Sequence, residues 1–208
     1  MIRQGIILIA ALLLLISCGT TGEVGVSLTS PVLPVLTGKA FNPVQQITLM
    51  RQQPGDYTLE KVVVSLEGTT DIGDITKVTS FGANEKGLPD TGITVGEAVP
   101  QGTTAVFTDH FPVTGDTLTL WVTVTLKEEI DLTHRIAIRC SEIITDKGRL
   151  RLPDSDGQPL RTGVALRQHG QDGVHTSRIP GLTTSKRGTL MAIYDARYES
   201  ARDLQGHM

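Results

Sequence analysis

The feature that most constrains the fold is residues 117–126, where apolar and polar side chains alternate without interruption. Leucine or valine occupies every second position, and threonine or Trp121 occupies the positions between them. Successive side chains of a β-strand point to opposite faces, so the apolar side chains of this segment share one face. The alternation predicts a strand of an antiparallel sheet with one buried face and one more solvated face.

Shorter apolar segments, separated by turn residues, predict further strands. The candidate strands are 46–51, 59–66, 75–81, 104–111 and 134–144. Glycine, proline, asparagine and aspartate concentrate at the predicted turns, which are 54–56, 68–73, 84–92 and 115–116. We find no helical period longer than about two turns in this part of the chain. The chain is therefore predicted to be all-β, with a β-sandwich over residues 31–155.

Composition and charge agree with a globular protein and narrow its class of partners. Of the 208 residues, 39% are hydrophobic, which is enough for one sizeable core. The chain has 19 basic and 22 acidic residues, and its formal net charge is −3. Because nucleic-acid-binding proteins usually carry a strong basic excess, no nucleic-acid partner is expected. The length suits one domain and a remainder.

The N-terminal segment is predicted to direct export. A short basic start precedes an apolar run, residues 6–16, which as a helix would span about 16 Å, half of what a membrane crossing needs. Residues 1–17 are therefore predicted to be a signal peptide that is removed. The sequence Leu15-Ile16-Ser17-Cys18 is similar to a bacterial lipobox, which implies that Cys18 is acylated and becomes the mature N-terminus.

Lipid on Cys18 would hold the chain on a bacterial membrane, in the periplasm or at the cell surface, without spanning the bilayer. The alternative is a plain secretory signal that is cleaved near Ser17 or Gly19. Residues 18–30 are rich in Gly, Thr and Ser and are predicted to be a flexible tether.

Three features that can mark reactive or metal-binding sites are predicted to be structural. If lipid consumes Cys18, then Cys140 has no disulfide partner, and its place on an apolar strand face predicts a small buried core residue. His169 and His175 are six residues apart without a third ligand nearby. Residues 154–157 lack the later acidic ligand of a calcium loop. No metal and no cofactor are therefore predicted.

Candidate binding residues concentrate in the C-terminal fifth of the chain. Strands are predicted at 164–167 and 189–194, and Arg178, Arg197 and Asp203 fall at strand ends and in adjoining loops. Guanidinium groups form bidentate contacts with carboxylates and stay charged at any working pH, so this set could recognise an acidic, polyhydroxylated ligand. Taken alone, the pattern is weak, because an arginine next to a proline in a loop is more often an ordinary surface residue than a ligand-binding one.

The order and spacing of two motifs resemble the sialidase (neuraminidase) family. Arg178-Ile179-Pro180 is followed by Asp195-Ala196-Arg197-Tyr198, with 19 residues from Arg178 to Arg197 and 6 from Arg197 to Asp203. Residues 172–176 resemble the bacterial members that carry an additional N-terminal β-sandwich. The resemblance implies a jelly-roll-like sandwich followed by a six-bladed β-propeller that begins in residues 156–208 and is incomplete in this chain.

The resemblance also implies a role for each matched residue. Arg178 would bind the substrate carboxylate, Arg197 would contact a hydroxyl of the sugar ring, and Asp203 would be the general acid/base. The activity would be that of an exo-α-sialidase, which releases terminal sialic acids from glycoproteins, glycolipids and oligosaccharides with retention. Sialidases use a tyrosine nucleophile. That tyrosine, its glutamate partner and two further arginines have no counterpart in this chain, so the 208 residues alone are expected to be inactive.

Two alternatives to the sialidase remain at this stage. One is a non-catalytic, surface-anchored carbohydrate-binding module, in which Trp121 on the polar face of its strand would stack against a sugar. For Trp121 itself the favoured interpretation is an aromatic side chain that caps the sheet face or packs on a neighbouring domain. The other alternative is a purely structural lipoprotein domain that positions a partner.

Overall fold

A computed structural model describes residues 24–52, 55–150, 152 and 159–202. These residues form fifteen strands, which are β1 (Val24–Thr29), β2 (Val35–Thr37), β3 (Asn42–Arg51), β4 (Tyr57–Ser65), β5 (Ile75–Ala83), β6 (Pro89–Ala98), β7 (Thr104–Phe107), β8 (Phe111–Val113), β9 (Thr117–Leu126), β10 (Arg135–Ile136), β11 (Arg139–Thr145), β12 (Gly148–Leu150), β13 (Leu160–Val164), β14 (Thr176–Thr184) and β15 (Leu190–Arg197). Among the described residues the only helices are 3₁₀ helices of three residues each, Ile72–Asp74 and Gln171–Gly173, and neither could cross a bilayer. The prediction of an all-β chain is confirmed.

Two antiparallel sheets form the body of the protein. One has the strand order β1-β3-β9-β5-β6, and the other has the order β12-β11-β4-β7, with β8 also paired to β4. A single core contains buried side chains from both sheets, among them Ile47 and Leu120 from the first and Leu59 and Ile143 from the second. Two sheets that share one core form a β-sandwich, as the sequence predicted.

Strand β9 lies at the centre of the first sheet, between β3 and β5, and has the predicted bounds. Leu120, Val122 and Val124 have 0% of their surface exposed, so the apolar face is the buried face. Burying each such side chain stabilises the fold by about 1.5–3 kcal/mol. Thr123 was predicted on the solvated face, but it is also buried, and its hydroxyl donates a hydrogen bond to the carbonyl of Thr79 on β5 at 3.1 Å.

Two strands occupy segments that were predicted to be irregular. All six residues of β1 pair with β3, so the prediction of a tether over 18–30 is wrong for residues 24–29, and 18–23 lie outside the described residues. Pairing along β3 satisfies the backbone of this segment, and Val24, Val26 and Leu28 pack on the core. Strand β6 begins inside the predicted turn 84–92, because the turn closes by Leu88, whose N–H donates to Asn84 Oδ1 at 3.1 Å.

Two of the predicted long strands are each divided into two short ones. The segment 104–111 contains β7 and the start of β8, and 134–144 contains β10 and most of β11. Between β10 and β11, the N–H and the carbonyl of Ala137 both bond to the hydroxyl of Thr69, at 3.0 and 2.9 Å. This side chain replaces the neighbouring strand as the partner of the backbone, which interrupts the ladder.

A small third sheet, β10-β13-β2, joins the sandwich to the C-terminal part. Strand β13 pairs antiparallel with β10 and parallel with β2. The strand predicted at 164–167 is therefore displaced, because β13 ends at Val164. Beyond it the N–H of Ala165 still donates to the carbonyl of Thr37 at 3.0 Å. Residues of the predicted second domain, 156–208, thus pair with the sandwich before the chain enters β14.

Candidate functional site

The candidate site is built on a two-stranded hairpin, β14–β15, which pairs with no other strand among the described residues. Its turn is closed by hydrogen bonds from the N–H of Ser185 to the carbonyl of Thr189 at 2.8 Å and from Gly188 to Ser185 at 2.9 Å. Gly188 has a φ of +84°, a conformation that glycine adopts without steric cost. This turn fixes the register of the two strands.

The register brings the predicted site residues to one face of the hairpin. Arg178 lies opposite Asp195, and Thr176 lies opposite Arg197. Directly opposite residues of an antiparallel pair project to the same side, and residues two apart on one strand do so as well. Arg178, Asp195 and Arg197 therefore share a face, which we call the arginine face.

The strand β14 is distorted immediately after Arg178. The register shifts between Arg178 and Gly181, so Ile179 and Pro180 form a bulge. Ile179 has a φ of +52°, which is unusual for a β-branched residue, and its side chain is exposed. Such local strain is typically worth about 1–3 kcal/mol and is often found at functional sites. Arg178 of the Arg-Ile-Pro sequence is therefore the last residue of β14 that pairs regularly with β15 before the bulge.

Both arginines bond to the same backbone carbonyl. The Nη1 of Arg178 donates to the carbonyl of Ala201 at 2.8 Å, and the Nη1 of Arg197 donates to it at 3.4 Å and to the carbonyl of Arg202 at 2.6 Å. The Nη2 of Arg197 lies 3.6 Å from Asp195 Oδ2. The residues after β15 therefore fold back over the arginine face, and two guanidinium groups lie close together there.

The two guanidinium groups differ in their environment. Arg197 is only 4% exposed, whereas Arg178 is half-buried. A buried guanidinium needs hydrogen bonds and a counter-charge, which the carbonyls and Asp195 supply. Arranged in this way, the face concentrates positive charge and forked N–H donors, which are the groups that bind a carboxylate most strongly.

The other two predicted site residues, Asp203 and Cys18, lie outside the described residues. Asp203 follows Ala201, the shared acceptor, by two positions in the sequence. Sequence reasoning had given no role to Asp195, although its position two residues before Arg197 on a strand was a usable signal. The carbonyl of Ala201 could not be found in this way, because any residue supplies one.

The cysteine and the tryptophan of the sandwich are structural. Cys140 is a free, buried thiol, and desolvation raises its pKa to about 12, so it is not a nucleophile, and its predicted role is confirmed. Its N–H donates to Oε1 of the buried Gln45 at 2.6 Å. The half-buried Trp121 donates its indole N–H to the carbonyl of Gly87, in the β5–β6 turn, at 2.8 Å. This contact favours the interpretation of Trp121 as a cap on the sheet.

A second cluster of titratable groups lies at the end of the sandwich. The Nδ1 of His134 is 2.8 Å from Oδ2 of the buried Asp74, and its Nε2 is 3.9 Å from Asp131 Oδ2. Asp71, Asp74 and His134 could offer ligand atoms within 4.8 Å of one another. Because Asp71 already accepts the N–H of Gly73 and His134 is hydrogen-bonded to Asp74, we interpret the cluster as a link between two loops.

This link predicts a pH dependence of stability. The hydrogen bond to Asp74 outweighs desolvation and raises the pKa of His134 above 6.5. A group whose pKa is higher in the folded state stabilises fully at pH below its unfolded pKa, and this contribution is lost as pH rises through the folded pKa. His134→Asn should therefore lower the urea midpoint of unfolding more at about pH 5.5 than at about pH 9. The exposed His110→Asn is the control, and an equal loss at both pH values would contradict the interpretation.

Comparison with known proteins identifies the sandwich. Residues 23–93 match the family described as the N-terminal domain of BNR-repeat neuraminidase. This part of the chain is therefore similar to a sialidase N-terminal domain. A protein of Bacteroides fragilis (strain YCH46) named "Sialidase" is 37% identical over 90 residues, which are 42% of this chain and 16% of that protein. The solved structure of Hadza microbial sialidase Hz136 is similar with a TM-score of 0.72 and 24% identity, over 86% of this chain and 39% of that one.

The resemblance to sialidases with an N-terminal sandwich is thus confirmed, and its extent can be stated. The chain spans 16% and 39% of the lengths of these two relatives. The family match lies wholly within the sandwich and does not include Arg178 or Arg197. At 24% identity the structural similarity to the Hadza sialidase shows the fold alone. An alignment over 86% of 208 residues extends past residue 155, so this similarity is not confined to the sandwich.

Proposed function

We propose that this chain is part of an exo-α-sialidase, a retaining glycoside hydrolase that releases terminal sialic acids from glycoconjugates. The observation that carries the proposal is the convergence of Arg178 and Arg197 on the carbonyl of Ala201. These arginines were selected from two motifs that resemble the sialidase family, 19 residues apart, and the hairpin places them on one face. The match of residues 23–93 to the N-terminal domain of BNR-repeat neuraminidase supports the same function.

The proposed roles follow from the chemistry of the substrate. Sialic acids carry a carboxylate, for which a forked guanidinium is the best partner, and we assign this role to Arg178. Arg197 is held by Asp195 and by two carbonyls, which fixes the orientation of its guanidinium group, and we assign it the contact with a hydroxyl of the sugar ring. Asp203 would protonate the glycosidic oxygen and then activate water. Burial or a neighbouring charge would raise its pKa for this task.

We also propose that residues 156–208 contain the first strands of a propeller blade. Leu182, Leu190 and Ile193 are each more than 60% exposed on the hairpin, and Met191 is 44% exposed. A two-stranded hairpin is at best marginally stable by itself, and apolar side chains at this density are typical of a sheet that packs against further chain. These exposed apolar side chains support the proposal that the hairpin is part of a larger β-structure.

The experiment that tests the function is hydrolysis of a fluorogenic sialoside. The 208-residue chain and the longest open reading frame that contains it should be assayed together. We expect turnover from the longer protein and none from the 208 residues, which lack a counterpart of the tyrosine nucleophile. Asp203→Ala in the longer protein should lower kcat by about 10²–10⁴, the range for general acid/base catalysis. The exposed Asp109→Ala is the control, and undiminished activity of Asp203→Ala would refute the assignment.

The alternative of a non-catalytic carbohydrate-binding module would use Trp121 as its platform. The indole N–H is already bonded to Gly87, and the side chain is half-buried under the β5–β6 turn. A glycan array probed with the chain and with its Trp121→Phe variant tests this alternative directly. Glycan binding that requires Trp121 would favour the module.

For location, we propose export and a lipid anchor on Cys18, with membrane contact through this lipid only. The support is the sequence Leu15-Ile16-Ser17-Cys18 after an apolar run. Cells that express the chain should incorporate labelled palmitate into it, and Cys18→Ala should abolish the label. Cys140 is buried, so Cys140→Ala is the matched control and should keep the label. Label that persists in Cys18→Ala would contradict the anchor.

A further inference from the structure

A groove of about 640 Å³ lies between the hairpin and the small third sheet. Its walls come from β2 and the following turn, from residues 164–169 after β13, and from Ser177, Pro180 and residues 192–194 of the hairpin. Tyr194 and Ser177 belong to the face opposite Asp195 and Arg178, because neighbouring residues of a strand alternate. We call this the rear groove, since it lies behind the arginine face.

The charge of the rear groove differs from that of the whole chain. Its lining includes Lys39, Arg167 and His169 but no aspartate or glutamate, in a chain whose net charge is −3. Within the described ranges Lys39 forms no ion pair, and the carboxylate nearest to Arg167 is that of the exposed Asp172, at 4.0 Å from Nε. The groove therefore favours an anionic ligand.

Arg167 is held in place so that part of its guanidinium remains available. Its Nε donates to the hydroxyl of Tyr194 at 2.7 Å, and its Nη1 donates to the carbonyl of Leu166 at 3.1 Å. Among the described residues, Nη2 donates no hydrogen bond. The hydrogen bond to Tyr194 fixes the orientation of the fork before any ligand arrives, which lowers the entropic cost of binding.

The remaining lining defines the body of the ligand. Val164 is an exposed apolar residue of the lining, and Leu36 is a half-buried one. Gln168, Ser177 and Tyr194 offer hydrogen-bonding groups along the same walls. A pyranose ring has an apolar face and many hydroxyls, whereas an alkyl chain would leave these polar groups without partners. The volume lies within the range of small-molecule sites.

We propose that the rear groove binds a carboxylated sugar, with the carboxylate between Lys39 and Arg167 and the ring against Val164. This site is separate from the arginine face and does not depend on the function proposed for it. A protein that has both would hold an acidic glycan at two positions on opposite sides of one hairpin.

The test is an NMR titration of the ¹⁵N-labelled 208-residue chain with glucuronate, with glucose and hexanoate as probes that lack either the charge or the ring. Glucuronate should shift the amide signals of 164–169 and 192–194, and glucose should bind at least about tenfold more weakly, as expected for loss of a charged hydrogen bond. Hexanoate should also bind at least about tenfold more weakly, because it lacks the ring and its hydroxyls. Arg167→Gln and Lys39→Gln should each weaken glucuronate binding by about tenfold, and Arg187→Gln, at an exposed arginine in the turn of the hairpin, should leave it unchanged.

Several outcomes would overturn the proposal. These are equal binding of glucose, stronger binding of hexanoate, shifts confined to 195–202, or no saturable binding of glucuronate. Because Arg167 also bonds to Tyr194, its variant could displace the hairpin, whereas Lys39 has no such contact with the hairpin. If neither Lys39→Gln nor Arg167→Gln weakens glucuronate binding, the proposed site is contradicted.

Discussion

Replacing Leu120 by alanine is expected to lower the free energy of unfolding of the chain by about 2–5 kcal/mol. Leu120 has 0% of its surface exposed and lies on the central strand β9, opposite Ile47 on β3. Its removal leaves a cavity between two sheets whose strands are held on both sides, so the surroundings can collapse only in part. Urea denaturation monitored by circular dichroism measures the change.

The matched control for this prediction is Leu33→Ala, because Leu33 is 55% exposed in the same sandwich. It should change the free energy of unfolding by no more than about 0.5 kcal/mol. Equal effects of the two variants would mean that the buried face of β9 is not the core of the domain.

Replacing Arg178 by lysine is expected to lower kcat/KM for a sialoside by about 10- to 100-fold in the active protein. Lysine keeps the positive charge but loses the fork that binds a carboxylate through two parallel hydrogen bonds. Arg187→Lys is the matched control, because Arg187 is an exposed arginine in the turn of the same hairpin. Steady-state kinetics on a fluorogenic sialoside measures both variants, and an equal, small effect would contradict the role of Arg178.

The parts of the fold that were predictable are those in which side-chain pattern and burial agree. Strand β9 was predicted with its bounds because one face is uniformly apolar and forms the core. Strand β1 was missed although Val24, Val26 and Leu28 alternate with smaller residues and pack on the core, because the Gly, Thr and Ser content of residues 18–30 was interpreted as that of a tether. The break between β10 and β11 was missed because it depends on Thr69, a residue 68 positions away from Ala137. Such contacts are set by tertiary structure and leave no local pattern.

The same distinction holds for the candidate site. Arg178 and Arg197 could be selected from motif spacing, and the hairpin register explains why that spacing brings them together. Strand β14 was not predicted, because Ile179-Pro180 interrupts its pattern with a bulge. The fold of the residues after Arg197, which directs the carbonyl of Ala201 at both guanidinium groups, depends on backbone geometry that the sequence does not encode in any single residue type.

The central claim is that Arg178 recognises the carboxylate of a sialoside. The most direct measurement compares kcat/KM for a fluorogenic sialoside and for its methyl ester, in the wild-type enzyme and in Arg178→Lys. We expect the wild type to prefer the free carboxylate strongly and Arg178→Lys to lose most of this preference, while Arg187→Lys retains it. A preference that is unchanged in Arg178→Lys would show that Arg178 does not recognise the carboxylate.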